Sequence, residues 1–257
     1  MANYYFLAAS LPELTLGEIP DISFVELSQR LQVNLSKKDF AKTVVLRRYI
    51  DLHNIRCLLL EENLDPRGNL DEKELDEALL VHHLLPEYVF DFLDEHQGLV
   101  ERMDNFPELL AKFFAEETPR QKGFMKAYLT FEREWRLVMI GLRAKETGRD
   151  VVRELQFEVP HDPLVAQILA QKDAKEYDPP GEYEDLKEKL ASCGNDPWEK
   201  YKVFAAYRFN KIDEMAIEPS FSIDWILSYM ARLLIVEAWN ALDAKRGREI
   251  LDTYKAG

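Results

Sequence analysis

A row of apolar side chains over residues 124–142 constrains this chain more than any other feature. Phe124, Tyr128, Phe131, Trp135, Val138 and Leu142 recur at alternating spacings of four and three, which puts them on one face of an α-helix. Thr118 precedes Pro119, and Gln121 follows, a Thr-x-x-Gln capping pattern with proline at the first helical position. Gly148 stands where such a helix would stop. The spacing predicts one helix over 119–148, roughly 45 Å long at a rise of ~1.5 Å per residue. A helix that long with one apolar face needs other helices to cover it.

The rest of the chain reads the same way. Ser23 is placed to cap a short helix carrying Phe24, Leu27 and Leu31, and Ser36 to open a long one with Val45, Tyr49, Leu52, Ile55 and Leu59 on one side. Asp65-Pro66-Arg67-Gly68-Asn69 is a turn. Short helices are expected over 70–80 and 86–95; Gly98 then breaks the chain before a helix from Pro107 carrying Leu109, Leu110, Phe113 and Phe114. Further helices are expected over 164–172 and through Leu190, from Asp196-Pro197 with Trp198, Tyr201, Phe204, Ala205 and Phe209 inward, and from Ser222 to about Lys245, with an interruption at Gly247. Tyr177-Asp178-Pro179-Pro180-Gly181 is the best linker candidate. Residues 3–11 fit a short strand or a helical turn equally. No strand pair with a hairpin turn occurs, so the fold class is all-α: an elongated multi-helix bundle with weak pseudo-repeats. A single helical domain over 1–257 is expected, with subdivision at 1–117, 118–176 and 182–257 as the finer alternative.

Composition excludes several functions. The formal net charge is −14, with no basic stretch to compensate, so nucleic-acid phosphates and anionic lipid are repelled. The two cysteines, Cys57 and Cys193, are too far apart in sequence for a zinc motif and too few for a disulfide framework. The apolar start lacks the basic leader of a signal peptide. The run from Trp225 to Val236 contains Arg232 and is too short to span a membrane. A cytoplasmic location follows as the expectation.

Motifs for chemistry are missing. There is no phosphate-binding Gly-x-x-x-x-Gly-Lys-Ser/Thr loop, no Gly-x-Ser-x-Gly and no His-Glu-x-x-His. His82 and His83 are adjacent and so point to different helix faces, a poor chelate. Glu132 and Glu134 diverge around their helix and read as surface groups or as ion-pair partners of Arg133 or Arg136. No catalytic, cofactor-binding or metal-ligating residue is assigned. A pocket among Trp135, Trp198, Trp225 and Trp239 is the form an unrecognised enzyme would take.

Three helices echo one another. The first carries Tyr49 to Arg56, with Asp51 and Asn54 three apart, followed by Pro66-x-Gly68-x-Leu70. The second carries Phe124-x-x-x-Tyr128, Phe131 to Arg136 and a closing Gly148; the third carries Trp225-x-x-x-Tyr229, Glu237-x-x-Asn240 and Ala244-Lys245-Arg246-Gly247. An acid and an asparagine at i and i+3 share a helix face and can bond to a neighbouring helix. They read either as a structural polar network or as a docking surface.

These helices and the opening Asn3-Tyr4-Tyr5-Phe6-Leu7-Ala8-Ala9-Ser10-Leu11-Pro12 resemble the C-type stalk subunits of A/V-type ATPases, called d-type in eukaryotes. They are similar in particular to a shorter bacterial branch of that family, encoded with V-type ATP synthase subunits. The resemblance implies a funnel of pseudo-repeated helical bundles. It implies a non-catalytic central-stalk subunit that joins the rotor shaft to the membrane proteolipid ring in proton or sodium transport. It also implies partners among the other V-type ATPase subunits and a peripheral position at the inner face of the cell membrane. Asp51, Asn54, Arg56, Glu237 and Asn240 would then be helix-packing positions. The alternative is a free-standing acidic helical adaptor or regulator.

Overall fold

The computed structural model describes residues 4–194, 196–216 and 221–255, the side chains of 243–255 excepted. Asn3 of the opening segment and the side chains of Ala244, Lys245, Arg246, Gly247, Ile250 and Leu251 lie outside the described residues. The described residues form helices and connecting turns, without a strand. In chain order the helices are α1 (Tyr5–Ala9), α2 (Phe24–Asn34), α3 (Lys37–Leu59), α4 (Glu72–Val81), α5 (Glu87–Glu95), α6 (Leu99–Asp104) and α7 (Phe106–Glu117). They continue as α8 (Gly123–Thr147), α9 (Val151–Glu154), α10 (Pro163–Ala170), α11 (Glu184–Ser192), α12 (Pro197–Glu214) and α13 (Ile223–Lys255).

The chain divides into two compact units, and they do not follow sequence order. The first joins residues 1–43 to 189–257, and the second is 44–188. In the first, α13 packs against α12 and α2. Ile226, Leu227, Met230, Leu233 and Val236 of α13 are fully buried, as are Phe24, Leu27 and Leu31 of α2. Over these turns α13 is therefore covered by the chain itself. Its backbone also runs past Gly247 without the expected break; one glycine costs a helix only about 1 kcal/mol.

In the second unit α7 packs on α5 and α8, and α8 in turn on α9 and α10. The predicted stripe is core: Phe124, Tyr128, Phe131, Trp135 and Val138 of α8 are all buried. Gly148 closes α8 with φ 68°, the left-handed cap that glycine adopts without a Cβ penalty.

The start of α8 differs from the expectation. Thr118 has helical angles because α7 runs straight into it, and Thr118–Arg120 form one 3-10 turn. An N-cap needs extended backbone, so the Thr-x-x-Gln box does not form. The extended residues are Gln121 and Lys122, and α8 begins at Gly123. Its 25 residues give a length of about 37 Å rather than 45. Other caps form as expected: Ser23 Oγ accepts from Glu26 N (3.1 Å), Ser36 Oγ from Asp39 N (3.2 Å) and Asp196 Oδ1 from Trp198 N (2.8 Å).

The linker candidate 177–181 is anchored. Tyr177 is buried and its ring lies on α8 at Gly141, where an added Cβ would stand 2.7 Å from Cε1. Its hydroxyl donates to Gln167 Oε1 (2.9 Å), while Gln167 and Gln171 donate to the Asp178 carbonyl at 2.7 and 2.9 Å. Gln167 on α10 and Gln171 at its end thus tie down a stretch that composition alone marks as loose. No helix among the described residues is long and apolar enough to cross a membrane.

Candidate functional site

The three echoing helices are α3, α8 and α13, and each uses two polar side chains three residues apart to hold the start of a short helix. On α3, Asp51 and Asn54 are almost fully buried. Asp51 Oδ1 accepts from the backbone N–H of Asn69 (2.6 Å), and Oδ2 from the Asn69 side chain (2.6 Å). Asn54 donates to the Asp65 carbonyl (2.9 Å) and accepts from the Asp65 N–H (2.8 Å). Arg47, one turn earlier, donates to the carbonyls of Arg67 (2.9 Å) and Gly68. The bracketed turn leads into Asp71, which caps α4 in a capping box with Glu74. Gly68 is required by space: a Cβ there would stand 2.7 Å from both Asn54 Nδ2 and Asp51 Oδ1.

On α13, Glu237 Oε1 accepts from Phe24 N (2.6 Å) at the first residue of α2, and Asn240 donates to the Glu18 carbonyl (2.7 Å). On α8 the pair is cationic. Arg133 meets Glu158 (3.0 Å) and Asp162 (2.9 Å), Arg136 also binds Glu158, and Asp162 caps α10 through Leu164 N and Val165 N. Glu158 is buried by this arrangement.

The acid-x-x-Asn reading thus holds in outline for α3 and α13, with one correction. Glu237 bonds to a neighbouring helix as expected, at the first residue of α2, whereas Asp51, Asn54 and Asn240 bond to connecting segments ahead of a helix. In the second helix the device is Arg133/Arg136, and Glu132 and Glu134 are not their partners in these bonds; Glu134 instead accepts from Tyr183 (3.2 Å). A signal was present in the sequence: two arginines at i and i+3 on a helix, and Asp162 directly before Pro163. Arg56, on the exposed side of α3, takes no packing position.

Electrostatics distinguishes members of the α3 clamp. Burial pushes the Asp51 carboxyl above the usual carboxylate range despite the bonds from Asn69 and Leu70. Burial acts on Asp65 in the same direction, but there the Arg67 guanidinium prevails and holds the carboxyl low.

A cavity of about 520 Å³ lies in the second unit, lined by Phe114, Thr118, Arg133, Phe157, Glu158 and Lys112 among others. Its size suits a small ligand. Each of its two cations is already bonded to a carboxylate, Arg133 to Glu158 and Lys112 to Glu108 (2.6 Å). An anion would have to displace one of those carboxylates. Next to it, His96 Nε2 lies 2.9 Å from Glu108 Oε2. Glu95, His96 and Glu108 bring their possible ligand atoms within 4.8 Å of one another. Lys112, which also reaches Glu95 (3.5 Å), already supplies a positive charge among them. Burial works to raise the Glu108 carboxyl, and the bonds from Lys112 and His96 overcome it and hold it low. Neither adjacency nor periodicity in the sequence pairs His96 with Glu108.

The remaining residues of interest have neighbours within their own units. His82 caps the end of α4 and stacks on Phe90 (4.6 Å). Trp198 meets Trp239 (5.8 Å), Trp225 stacks on Tyr229, and Trp135 lies beside Phe131 in the second unit.

Fold and side-chain geometry define a class: an all-helical protein whose long helices fix the starts of short ones through bonded polar pairs. The chain belongs to the family described as "Protein of unknown function (DUF2764)", whose model matches residues 1–257. It is 27% identical over 263 residues to proteins described as uncharacterized in Chlamydia muridarum and in Chlamydia trachomatis serovar D, covering 100% of this chain and 99% of each relative. A Chlamydia pneumoniae relative is 27% identical over 258 residues, covering 98% of this chain and 97% of that one. No solved structure matches. These matches correct the expected membership of the C-type family of V-type ATPase stalk subunits. The shared features, an acid-x-x-Asn helix and a Pro-x-Gly turn, are a local solution for holding a turn and do not specify a family.

Proposed function

We propose that this protein is a non-catalytic mechanical subunit, and that its partner is the central stalk of a V-type ATPase, between rotor shaft and proteolipid ring. The observation that carries the reading is the repeated clamp. Helices of 23, 25 and 33 residues each fix the start of another helix with a bonded polar pair, Asp51/Asn54, Arg133/Arg136 and Glu237/Asn240. Such joints resist bending where two elements meet, as a part that transmits force requires. The polar pairs that the sequence singles out, Asp51/Asn54 and Glu237/Asn240, are used for two of those joints. Membership in a separate family removes common descent with the C-type stalk proteins as a ground, so the reading stands on this mechanical build. The free-standing adaptor shares the build and differs only in its partner.

Co-expression with the rotor-shaft subunits and proteolipid ring of the same organism tests the proposal. The expected result is a co-purifying complex at near-equal stoichiometry that persists in physiological salt. A chain that elutes alone beside an intact shaft and ring overturns it in favour of the adaptor.

A further inference from the structure

The end of α4 and the turn that follows it break two rules for a surface. Leu80, Val81 and Leu84 are 76%, 63% and 58% exposed, three large apolar side chains within five residues. Leu84 also has φ 66°, a left-handed conformation that costs a side chain of this kind about 1–2 kcal/mol. His82, at φ 52°, is accounted for as the left-handed cap of α4; Leu84 caps nothing. The turn is nonetheless held in place. The His82 ring lies parallel to Phe90 at 4.6 Å, and Phe90 is buried in α5. Backbone strain of this sort clusters at functional places, such as active sites, ligand clamps and switch regions.

The surroundings are acidic. Residues 71–95 contain nine acids and one lysine, and all nine acids are exposed. An apolar segment flanked in sequence on both sides by exposed carboxylates selects its occupant. A second copy would bring its own carboxylates of like charge, and an anionic lipid surface is repelled in the same way. We infer that the segment 80–84 is a docking knob for a partner protein that offers an apolar groove rimmed by lysine or arginine. This rests on the proposal above that the protein acts by docking, and it names the surface that docks.

The probe is a fluorescent amphipathic helical peptide of leucine and lysine, with a leucine–glutamate peptide of equal length as its counterpart. The lysine peptide should bind and the glutamate peptide should not. Leu80→Ser and Leu84→Asn each leave the net charge unchanged, and together they should weaken binding about tenfold or more. Leu84→Asn makes the test robust, because asparagine accepts the left-handed conformation better than leucine. Its melting temperature should hold or rise while binding falls, the opposite of what a damaged fold gives. Equal binding by the double variant would mean that charge alone holds the peptide and overturns the inference. So would binding of the glutamate peptide, dimerisation in sedimentation that the double variant abolishes, or capture by neutral phosphatidylcholine vesicles through the same residues. If peptide binding depends on Leu80 and Leu84 while the stalk proteins fail to co-purify, the knob stands and its partner lies elsewhere.

Discussion

The clamp on α3 and the clamp on α13 use the same two kinds of side chain and differ in how tightly they close. Asp51 and Asn54 are almost wholly buried, and Gly68 leaves no room for one more carbon. Glu237 and Asn240 are half-buried, and the glycine beside their loop, Gly17, would set a Cβ at an ordinary 3.6 Å from the Trp239 ring. What constrains Gly17 is its φ of 87°. One glycine is therefore required by its neighbours and the other by its own backbone. The difference teaches that an i, i+3 acid–asparagine pair does not set its own strength; water sets it. Where water is excluded, each lost acceptor leaves an unpaired buried N–H, and where water enters, it substitutes.

Substitutions can break or sharpen this contrast. The largest effect is expected from Asp51→Ala, which strands the Asn69 backbone and side-chain donors; urea unfolding should show a loss of about 3 kcal/mol. Gly68→Ala should cost about 2 kcal/mol by the same measurement, since clamp and turn must separate to admit the methyl. In the half-open clamp, Glu237→Ala removes one acceptor at the start of α2 and should cost only about 1 kcal/mol. Equal losses for Asp51→Ala and Glu237→Ala would refute the idea that burial sets the difference.

The smallest effect is a pH dependence. Asp65 has a folded carboxyl held below its ordinary range. Its contribution to stability is therefore present above that range and lost as the pH falls from it through the lowered folded value. Thermal melts of Asp65→Asn and the parent should differ by less than about 1 kcal/mol near neutrality and converge below about pH 4. A gap that widens in acid would reverse the assigned sign.

Much of the fold was legible because helices announce themselves locally. The Phe124 to Val138 stripe, the capping serines at 23 and 36, and the stop at Gly148 all depend on residues within a few turns of one another. The misreadings have a common cause. Thr118 has a capping sequence but sits at the end of α7, whose continuation denies it the extended angles a cap needs. Tyr177-Asp178-Pro179-Pro180-Gly181 has a linker's composition but meets two glutamines and a glycine from earlier in the chain. In each case a neighbour along the chain or in space outweighed the local preference. Of the polar residues, Asp51 with Asn54 and Glu237 with Asn240 were legible as pairs, but not the groups they bond. The Glu237 bond spans 213 residues of sequence.

The sequence by itself determined that this protein is built of helices, which faces of them are apolar, and that its surface is strongly acidic. Periodicity, capping residues and charge count are properties of neighbours in the chain, and the physics that reads them is local. Only the tertiary structure decided which turn each polar pair holds, that residues 1–43 fold with 189–257, and that Leu80, Val81 and Leu84 stay in water. Those outcomes depend on which surfaces exclude solvent from which others, a quantity that no stretch of sequence carries alone.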